Sequence, residues 1–426
     1  MRLKVKGAYL AVPVWTNPDS WDRYYLRVRS GDRLIYTFRL PEKTGKQSWE
    51  CDYHAYLPME GMAEGVKSVE IETDAPYPVA EGCFFTDRPV FEERVNDRTE
   101  LHYHAPYGSL NDPNGLIYHD GIWHMYHQHN PMDNVWGNMS WGHAVSKDLI
   151  HFSFKGDVLF PEKNGTMFSG CGIVNSAKAF SLPEDALLFF YTFAAEEGEN
   201  TEGKKDGRHF TQRVAFSLDK GYTLQKLEDW ELGMMAPENR DPKIFYHEAS
   251  NAYIMVLYLT ENRFMILRSP DLTDWEKTQE MSLPPMWECP DLLELSEDKW
   301  AFMSADGYYY IGSFDGFCFT RETSMLSLYA DKIPYAAQSF SGVSGRIIST
   351  AWLRTENHGE NWHGLMSIPR ELTLAKDGDS YYIRQSFVRE AEPYIREKEG
   401  GYFIEDDLVR EEIGPGGHLL KVEQLF

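Results

Sequence analysis

Ser146-Lys-Asp-Leu-Ile-His-Phe152 returns as Ser269-Pro-Asp-Leu-Thr-Asp-Trp275, with a looser copy, Ser217-Leu-Asp-Lys-Gly-Tyr222, between them. A motif that recurs along a chain marks repeated supersecondary units. The copies lie somewhat further apart than the roughly 40–50 residues of a four-stranded propeller blade, a difference that loop insertions reconcile. Around them run short apolar and aromatic stretches separated by Gly, Asn, Asp and Pro. Examples are Gly121-Ile-Trp-His-Met-Tyr-His127, Ala186-Leu-Leu-Phe-Phe-Tyr-Thr192, Ala252-Tyr-Ile-Met-Val-Leu-Tyr258 and Gly307-Tyr-Tyr-Tyr-Ile-Gly312. Such runs read as strands, and long helical periodicity is missing almost everywhere. At about 60 residues per unit, residues 100–390 make five blades, within the range known for propellers. The expectation is an all-β chain built on a five-bladed β-propeller.

Residues 1–95 read as a separate β-sandwich-like module. Tyr25 to Leu40 holds two strand-like runs around Ser30-Gly31-Asp32, a hairpin pattern, and Val69-Glu-Ile-Glu-Thr73 alternates at the strand period. The acidic stretch Phe91-Glu-Glu-Arg-Val-Asn-Asp-Arg98 reads as a linker. Residues 391–426 read as a short charged tail with one strand-like run, Leu419-Leu-Lys-Val422.

The chain has 426 residues, and 42 Lys and Arg stand against 66 Asp and Glu for a net charge of −24. That balance repels nucleic acid and anionic membrane, while a neutral sugar is little affected. The aromatic share of 14% suits both pleated sheets and sugar binding, because Trp and Tyr offer a flat apolar face beside a polar handle. Cys51, Cys83, Cys171, Cys289 and Cys318 are scattered, with no C-x-x-C pair, so neither a disulfide framework nor a zinc site is expected. The N-terminus lacks the apolar stretch of a signal peptide, and no run matches a membrane span. The expected location is the cytoplasm.

Three acidic motifs carry the chemistry, each just before an apparent strand: Asn111-Asp112-Pro113-Asn114-Gly115, Arg240-Asp241-Pro242 and Trp287-Glu288-Cys289-Pro290-Asp291. Alone, the first is a tight turn and the second a surface ion pair of little energetic weight. The third sets an acid between Trp and Cys, and an apolar setting favours the protonated form that a proton donor needs. Inner strands of a propeller converge on its axis, so acids at their ends meet in one funnel. Two carboxyl groups flanking a glycosidic bond are what its hydrolysis requires.

These motifs, with Tyr126-His-Gln-His-Asn-Pro131, Trp136-Gly137, Trp141-Gly-His-Ala-Val-Ser-Lys-Asp-Leu149, Phe168-Ser-Gly170 and Pro369-Arg-Glu-Leu-Thr-Leu374, resemble family 32 of the glycoside hydrolases from about residue 101 to 386. The resemblance to this invertase, levanase and inulinase family implies a five-bladed propeller and hydrolysis of sucrose or fructans with retention at the anomeric carbon. It implies Asp112 as nucleophile, Glu288 as general acid/base and Asp241 as transition-state stabiliser. Arg240 is expected to hold the carboxylates and the sugar, and Asn111, Gln128, Trp136, Phe168 and Ser169 to line the fructose pocket. Burial in the propeller is the competing reading for Trp136 and Phe168. No cofactor or metal is expected: the histidines at 119, 124, 127 and 129 lack a completing ligand set, and the family pattern itself contains Gln-His-Asn-Pro.

Two departures bear on substrate choice. Ser109-Leu110 stands where the family has an aromatic, and the lead-in to Tyr335 differs. The usual C-terminal β-sandwich is not expected, because the residues after the propeller are too few. Transfer to a sugar acceptor, or a catalytically silent fructan-binding protein, are the alternative readings. The intact Asp112, Asp241 and Glu288 argue against the silent one.

Overall fold

The strand-period patterning holds, and the computed structural model is all-β. It describes residues 1–19, 23–42, 50–59, 65–89, 101–195, 209–357 and 361–425, and the linker expected at Phe91–Arg98 lies outside these. Helix among the described residues is confined to 3-10 turns such as Ala179–Ser181, and no helix is long and apolar enough to cross a membrane.

Five sheets, antiparallel except for one short parallel pairing in the first, follow one another along the chain. Their first strands are Gly108–His119, Gly165–Val174, Arg240–His247, Asp291–Ser296 and Pro334–Ser339. The repeated Ser-x-Asp closes the third strand of the first three sheets. Ser146, Ser217 and Ser269 each donate a hydroxyl hydrogen bond to the Asp two residues on, at 2.9, 2.6 and 3.2 Å, and accept one from its N–H. The repeat is therefore a turn device, which explains why its spacing tolerates insertions.

The first strands touch one another. Ile244 N–H donates to Cys171 Sγ at 3.2 Å, joining the third sheet to the second. Gln338 of the fifth sheet donates to Gly170 O at 3.0 Å and accepts from Leu116 N–H at 3.3 Å. Trp362-His363 pairs in parallel with Gly108-Ser109, and Tyr118 and Leu116 exchange backbone bonds with Ser341, so the last sheet returns to the first.

Four first strands carry a bulge at matching places, where two residues on one strand oppose one on its partner. The bulged pairs are Asn111-Asp112, Phe168-Ser169, Asp241-Pro242 and Ala336-Ala337. A bulge leaves one residue outside the ladder and re-aims its side chain. Proline follows Asp112, Asp241 and Cys289 alike, and its missing N–H costs nothing where the ladder is already interrupted. Gly115 closes the first motif at φ 53, where an added Cβ would stand 2.9–3.1 Å from Tyr126, Trp141 and Phe189.

Residues 1–89 contribute two sheets, one ordering Arg2–Lys4, Ser68–Thr73, Arg23–Ser30 and Arg33–Pro41, the other Tyr53–Pro58, Tyr9–Val14 and Phe84–Thr86. The hairpin around Gly31 and the strand at Val69–Thr73 lie where the sequence puts them. Leu10, Val12, Leu26, Val28, Phe38, Leu57 and Ile71 form a core that also takes in Tyr107, Met132 and Phe160 from the region that follows.

The C-terminus corrects the sequence reading. Instead of a tail with one strand, Arg396–Lys398, Gly401–Glu405, Val409–Ile413 and Leu419–Gln424 form a four-stranded antiparallel sheet. Its charged face is internally paired, with Arg410 bonding Glu405 at 3.1 Å and Glu412 at 2.8 Å. Its apolar face, Ile404, Val409, Ile413 and Val422, joins the core of the fifth sheet. His102 ties it down, contacting Asp406 at 2.7 Å and Glu411 at 3.1 Å.

Beneath the bulges, buried Lys243 lies 3.5 Å from buried Asp291 and donates to Ser339 O, while Ser339 N–H donates to Asp291 at 2.9 Å. This pair links the third, fourth and fifth sheets. Breaking one half of a buried pair strands the other charge, at a cost of about 3–5 kcal/mol. Lys243→Met is expected to destabilise by that amount in denaturant titration, and adding Asp291→Leu should restore part of it. A Lys243→Met loss below about 1 kcal/mol would contradict the linking role.

Candidate active site

A cavity of about 260 Å³ opens where the bulged strands converge. It is lined by Asn111, Asp112, Gln128, Trp136, Phe168, Ser169, Arg240, Asp241 and Glu288, which are all nine residues the sequence singled out. Met139, Phe210, Glu238, Tyr335 and Trp352 complete the lining. A larger cavity of about 790 Å³ lies between the N-terminal sheets and Pro106, Tyr107 and Asn361, but the three motif acids are in the smaller one.

Asp112 accepts hydrogen bonds from Ser169 Oγ at 2.8 Å and Asn111 Nδ2 at 3.3 Å. Glu288 accepts from Tyr335 Oη at 2.7 Å on one oxygen and from Arg240 Nη2 and Nε at 2.7 and 2.9 Å on the other. Arg240 Nε also lies 3.7 Å from Asp241, and the guanidinium rests 4.4 Å over the Tyr258 ring. Nη1 donates to Glu238 O at 2.9 Å, so among the three acids the direct bonds of Arg240 serve Glu288, whereas Asp112 is held by neutral donors. Between the acids sits the Cys289 thiol, 3.5 Å from Asp241 and 3.7 Å from Asp112, with its backbone N–H on Asp241 at 3.2 Å.

The backbone here is unusual. Asp241, Glu288 and Cys289 all have positive φ, at 62°, 26° and 43°. Non-glycine residues in such regions cost on the order of 1–3 kcal/mol and persist where surroundings over-determine them. Asp241 N–H is pinned by Thr192 Oγ1 at 3.0 Å.

Withdrawal from water, with the Glu288 charge adding to it, pushes Asp112 up to about 6 despite its hydrogen bonds. Burial likewise pushes Asp241 up to about 7; Arg240 opposes the rise, and Glu288 and Asp112 add to it. Burial and Glu288 hold the Tyr335 hydroxyl far above its ordinary range, so it remains a donor. Near neutral pH the cluster thus retains a proton alongside an ionised carboxylate.

Trp136 is 56% exposed, which decides against a packing role for it, and stands edge-on to Phe168 with centroids 6.0 Å apart. Phe168 in turn meets Phe210 at 5.3 Å, giving one wall three aromatic rings. Ser109 and Leu110 are buried and add no ring. The histidines at 124, 127 and 129 are buried in hydrogen bonds, His129 with Asp157 at 2.6 Å and His127 with Tyr103 at 3.1 Å. Among the described residues no group of three or more His, Cys, Asp or Glu side chains is arranged to hold a metal ion.

Residues 102–385 match the family described as the glycosyl hydrolases family 32 N-terminal domain, which is well over half of the chain. The chain belongs to glycosyl hydrolase family 32. An extracellular exo-inulinase of Meyerozyma guilliermondii is 33% identical over 318 residues, 66% of this chain and 60% of that protein. A levanase of Bacillus subtilis is 32% identical over 332 residues, covering 69% and 47%. The chain thus spans about half to three-fifths of these relatives' lengths. The structure of a fructofuranosidase from Schwanniomyces occidentalis complexed with fructose is 29% identical, with a TM-score of 0.60 over 68% of this chain and 62% of that one. The expectation of a cytoplasmic location finds no support here, since the Meyerozyma relative is named extracellular.

Phe210, Trp352, Met139 and Glu238 line the pocket without an expectation from the sequence, because none lies in a motif that carries the family resemblance. Phe210 and Trp352 sit on later strands of the second and fifth sheets, and Glu238 lies just ahead of Arg240.

An ionised Asp112 costs stability, because its folded-state pKa lies above the unfolded value of 3.8. The cost is absent below about pH 4, grows as pH rises to about 6 and is complete above that. Asp112→Asn should therefore raise the melting temperature at pH 7.5, by the equivalent of about 1–3 kcal/mol, with the gain vanishing near pH 4. A gain independent of pH, or a loss at pH 7.5, would contradict this electrostatic picture.

Proposed function

We propose that this family 32 chain is a retaining β-fructofuranosidase that releases terminal β-D-fructofuranosyl residues from sucrose, fructo-oligosaccharides or fructans. The observation that carries the reading is the meeting of Asp112, Asp241 and Glu288 in one small cavity. The names of the relatives point to the same substrates: exo-inulinase, levanase and fructofuranosidase.

The cavity's volume suits one sugar ring seated at a chain end better than the middle of a long polymer. In the first step an Asp112 oxygen attacks the anomeric carbon, C2, of the fructosyl unit. The bond from C2 to the leaving oxygen breaks, and that oxygen takes the proton from Glu288. In the second step Glu288 removes a proton from water, whose oxygen attacks C2 and frees Asp112. Asp241, close to both, accepts hydrogen bonds from fructose hydroxyls and offsets the positive charge of the oxocarbenium-like transition state. Arg240 and Tyr335 fix the Glu288 carboxyl, and Asn111, Gln128, Trp136, Phe168 and Ser169 surround the ring.

We also infer that the five sheets are five blades around a shared axis, residues 100–390. First strands in lateral contact, and a fifth sheet that returns to the first, support the closed arrangement. On this reading residues 1–95 form the N-terminal sandwich-like module and residues after 390 the C-terminal sheet.

Since Asp112 must be ionised to attack, kcat/KM should fall as pH drops below about 6. The roles separate by leaving group. Asp112→Ala should abolish turnover of every substrate. Glu288→Ala should lose about 10²–10⁴-fold on sucrose, whose leaving group needs a proton, and far less on an activated aryl fructoside. Azide should partly rescue Glu288→Ala by capturing the fructosyl-enzyme. Equal loss on all leaving groups without rescue, or substantial activity in Asp112→Ala, would overturn the assignment.

A further inference from the structure

The exposed aromatic of the pocket stands on a loop that belongs as much to the N-terminal module as to the first sheet. Between the strands ending at Asn130 and beginning at Ser140, Met132 is fully buried in the module's core, with Leu57, Phe38 and Phe160 in the same cluster. Tyr53 Oη donates to Pro131 O at 3.2 Å, and Asp133 accepts from Asn17 N–H at 3.1 Å. Trp136 follows, pointing into the pocket.

The far end of the loop is gripped differently. Arg39 lies on an edge strand, Arg33–Pro41, whose outer backbone groups would otherwise lack a partner strand. The Asn138 side chain supplies one residue's worth of ladder: Oδ1 accepts from Arg39 N–H at 2.6 Å and Nδ2 donates to Arg39 O at 2.8 Å. The same Nδ2 donates to Asn130 Oδ1 at 2.9 Å, and Asn130 Nδ2 donates to Val135 O at 2.8 Å. Asn138 sits at φ 44, a conformation in which asparagine is favoured among residues with a Cβ. Both flanks of Trp136 are therefore fixed to the module, Met132 by burial and Asn138 by its amide.

We propose that the N-terminal module is a working part of the active site, with Asn138 the positioning residue that couples its edge strand to Trp136. This rests on the fructosidase reading only in that Trp136 meets the sugar. The module then sets the aromatic rim of the pocket, and it governs how tightly substrate is held more than how fast the bond breaks. Arg39 contributes through its backbone, so the informative substitution is at Asn138.

Asn138→Gly is the clean variant, since glycine keeps the positive φ without steric cost while removing every side-chain bond. It should raise KM for sucrose about tenfold with kcat changed less than about twofold, the pattern of lost uniform binding. Trp136→Ala should do the same, and the double variant should be no worse than Trp136→Ala alone, because both act through one ring. Asn138→Asp, which keeps the acceptor but loses the donors, should fall between. Independently of turnover, hydrogen exchange should quicken in Asn138→Gly across residues 131–139 and stay unchanged in the third and fourth sheets. Wild-type exchange in that loop, an unchanged KM, or effects of the two single variants that multiply would overturn the proposal. A wild-type protein that releases no fructose while the loop still loosens in Asn138→Gly would sink the fructosidase reading and leave the coupling standing.

Discussion

Three carboxylates in one small cavity repel one another, and much of the structure around them offsets that repulsion. One cation, Arg240, stands among them and is spent on Glu288 and Asp241. Asp112 and Asp241 answer by holding protons to higher pH than they would in water. The result is a cluster in which a retained proton and an ionised carboxylate coexist near neutrality.

The sheets meet this demand through a shared local device. Bulges in the first strands of the first three sheets, and positive φ just ahead of the fourth, turn Asp112, Ser169, Asp241 and Glu288 out of the ladder and toward one cavity. Proline after Asp112, Asp241 and Cys289 fits where no ladder N–H is needed. Below them the buried Lys243–Asp291 pair ties three sheets together. Rigidity in that layer keeps the acids from relaxing apart. The N-terminal sheets reach the same cavity from the side by way of Met132 and Asn138.

Much of this was legible in the sequence. Asp112, Asp241 and Glu288 stand out because the three acidic motifs occur together, in the order of the family they resemble; alone, the first reads as a turn and the second as a surface ion pair. Strand runs such as Ala252–Tyr258 announced themselves by apolar content. What was not legible has physical causes. The C-terminal sheet pairs its charges across strands, as Arg410 does with Glu405 and Glu412, so its sequence reads as a solvated tail. Phe210 and Trp352 enter the pocket from later strands, where an aromatic looks like ordinary core. The anchoring of Asn138 depends on the backbone of Arg39, which leaves no trace in residue identity.

The account stands on a covalent intermediate at Asp112. Its most direct test is rapid acid quenching of Glu288→Ala during turnover of an activated aryl fructoside, followed by peptide mass mapping. The account predicts one anhydrofructosyl unit on the peptide containing Asn111-Asp112-Pro113, esterified to Asp112. Label on Asp241, or a first-formed sugar product of inverted configuration with no labelled peptide, would contradict it.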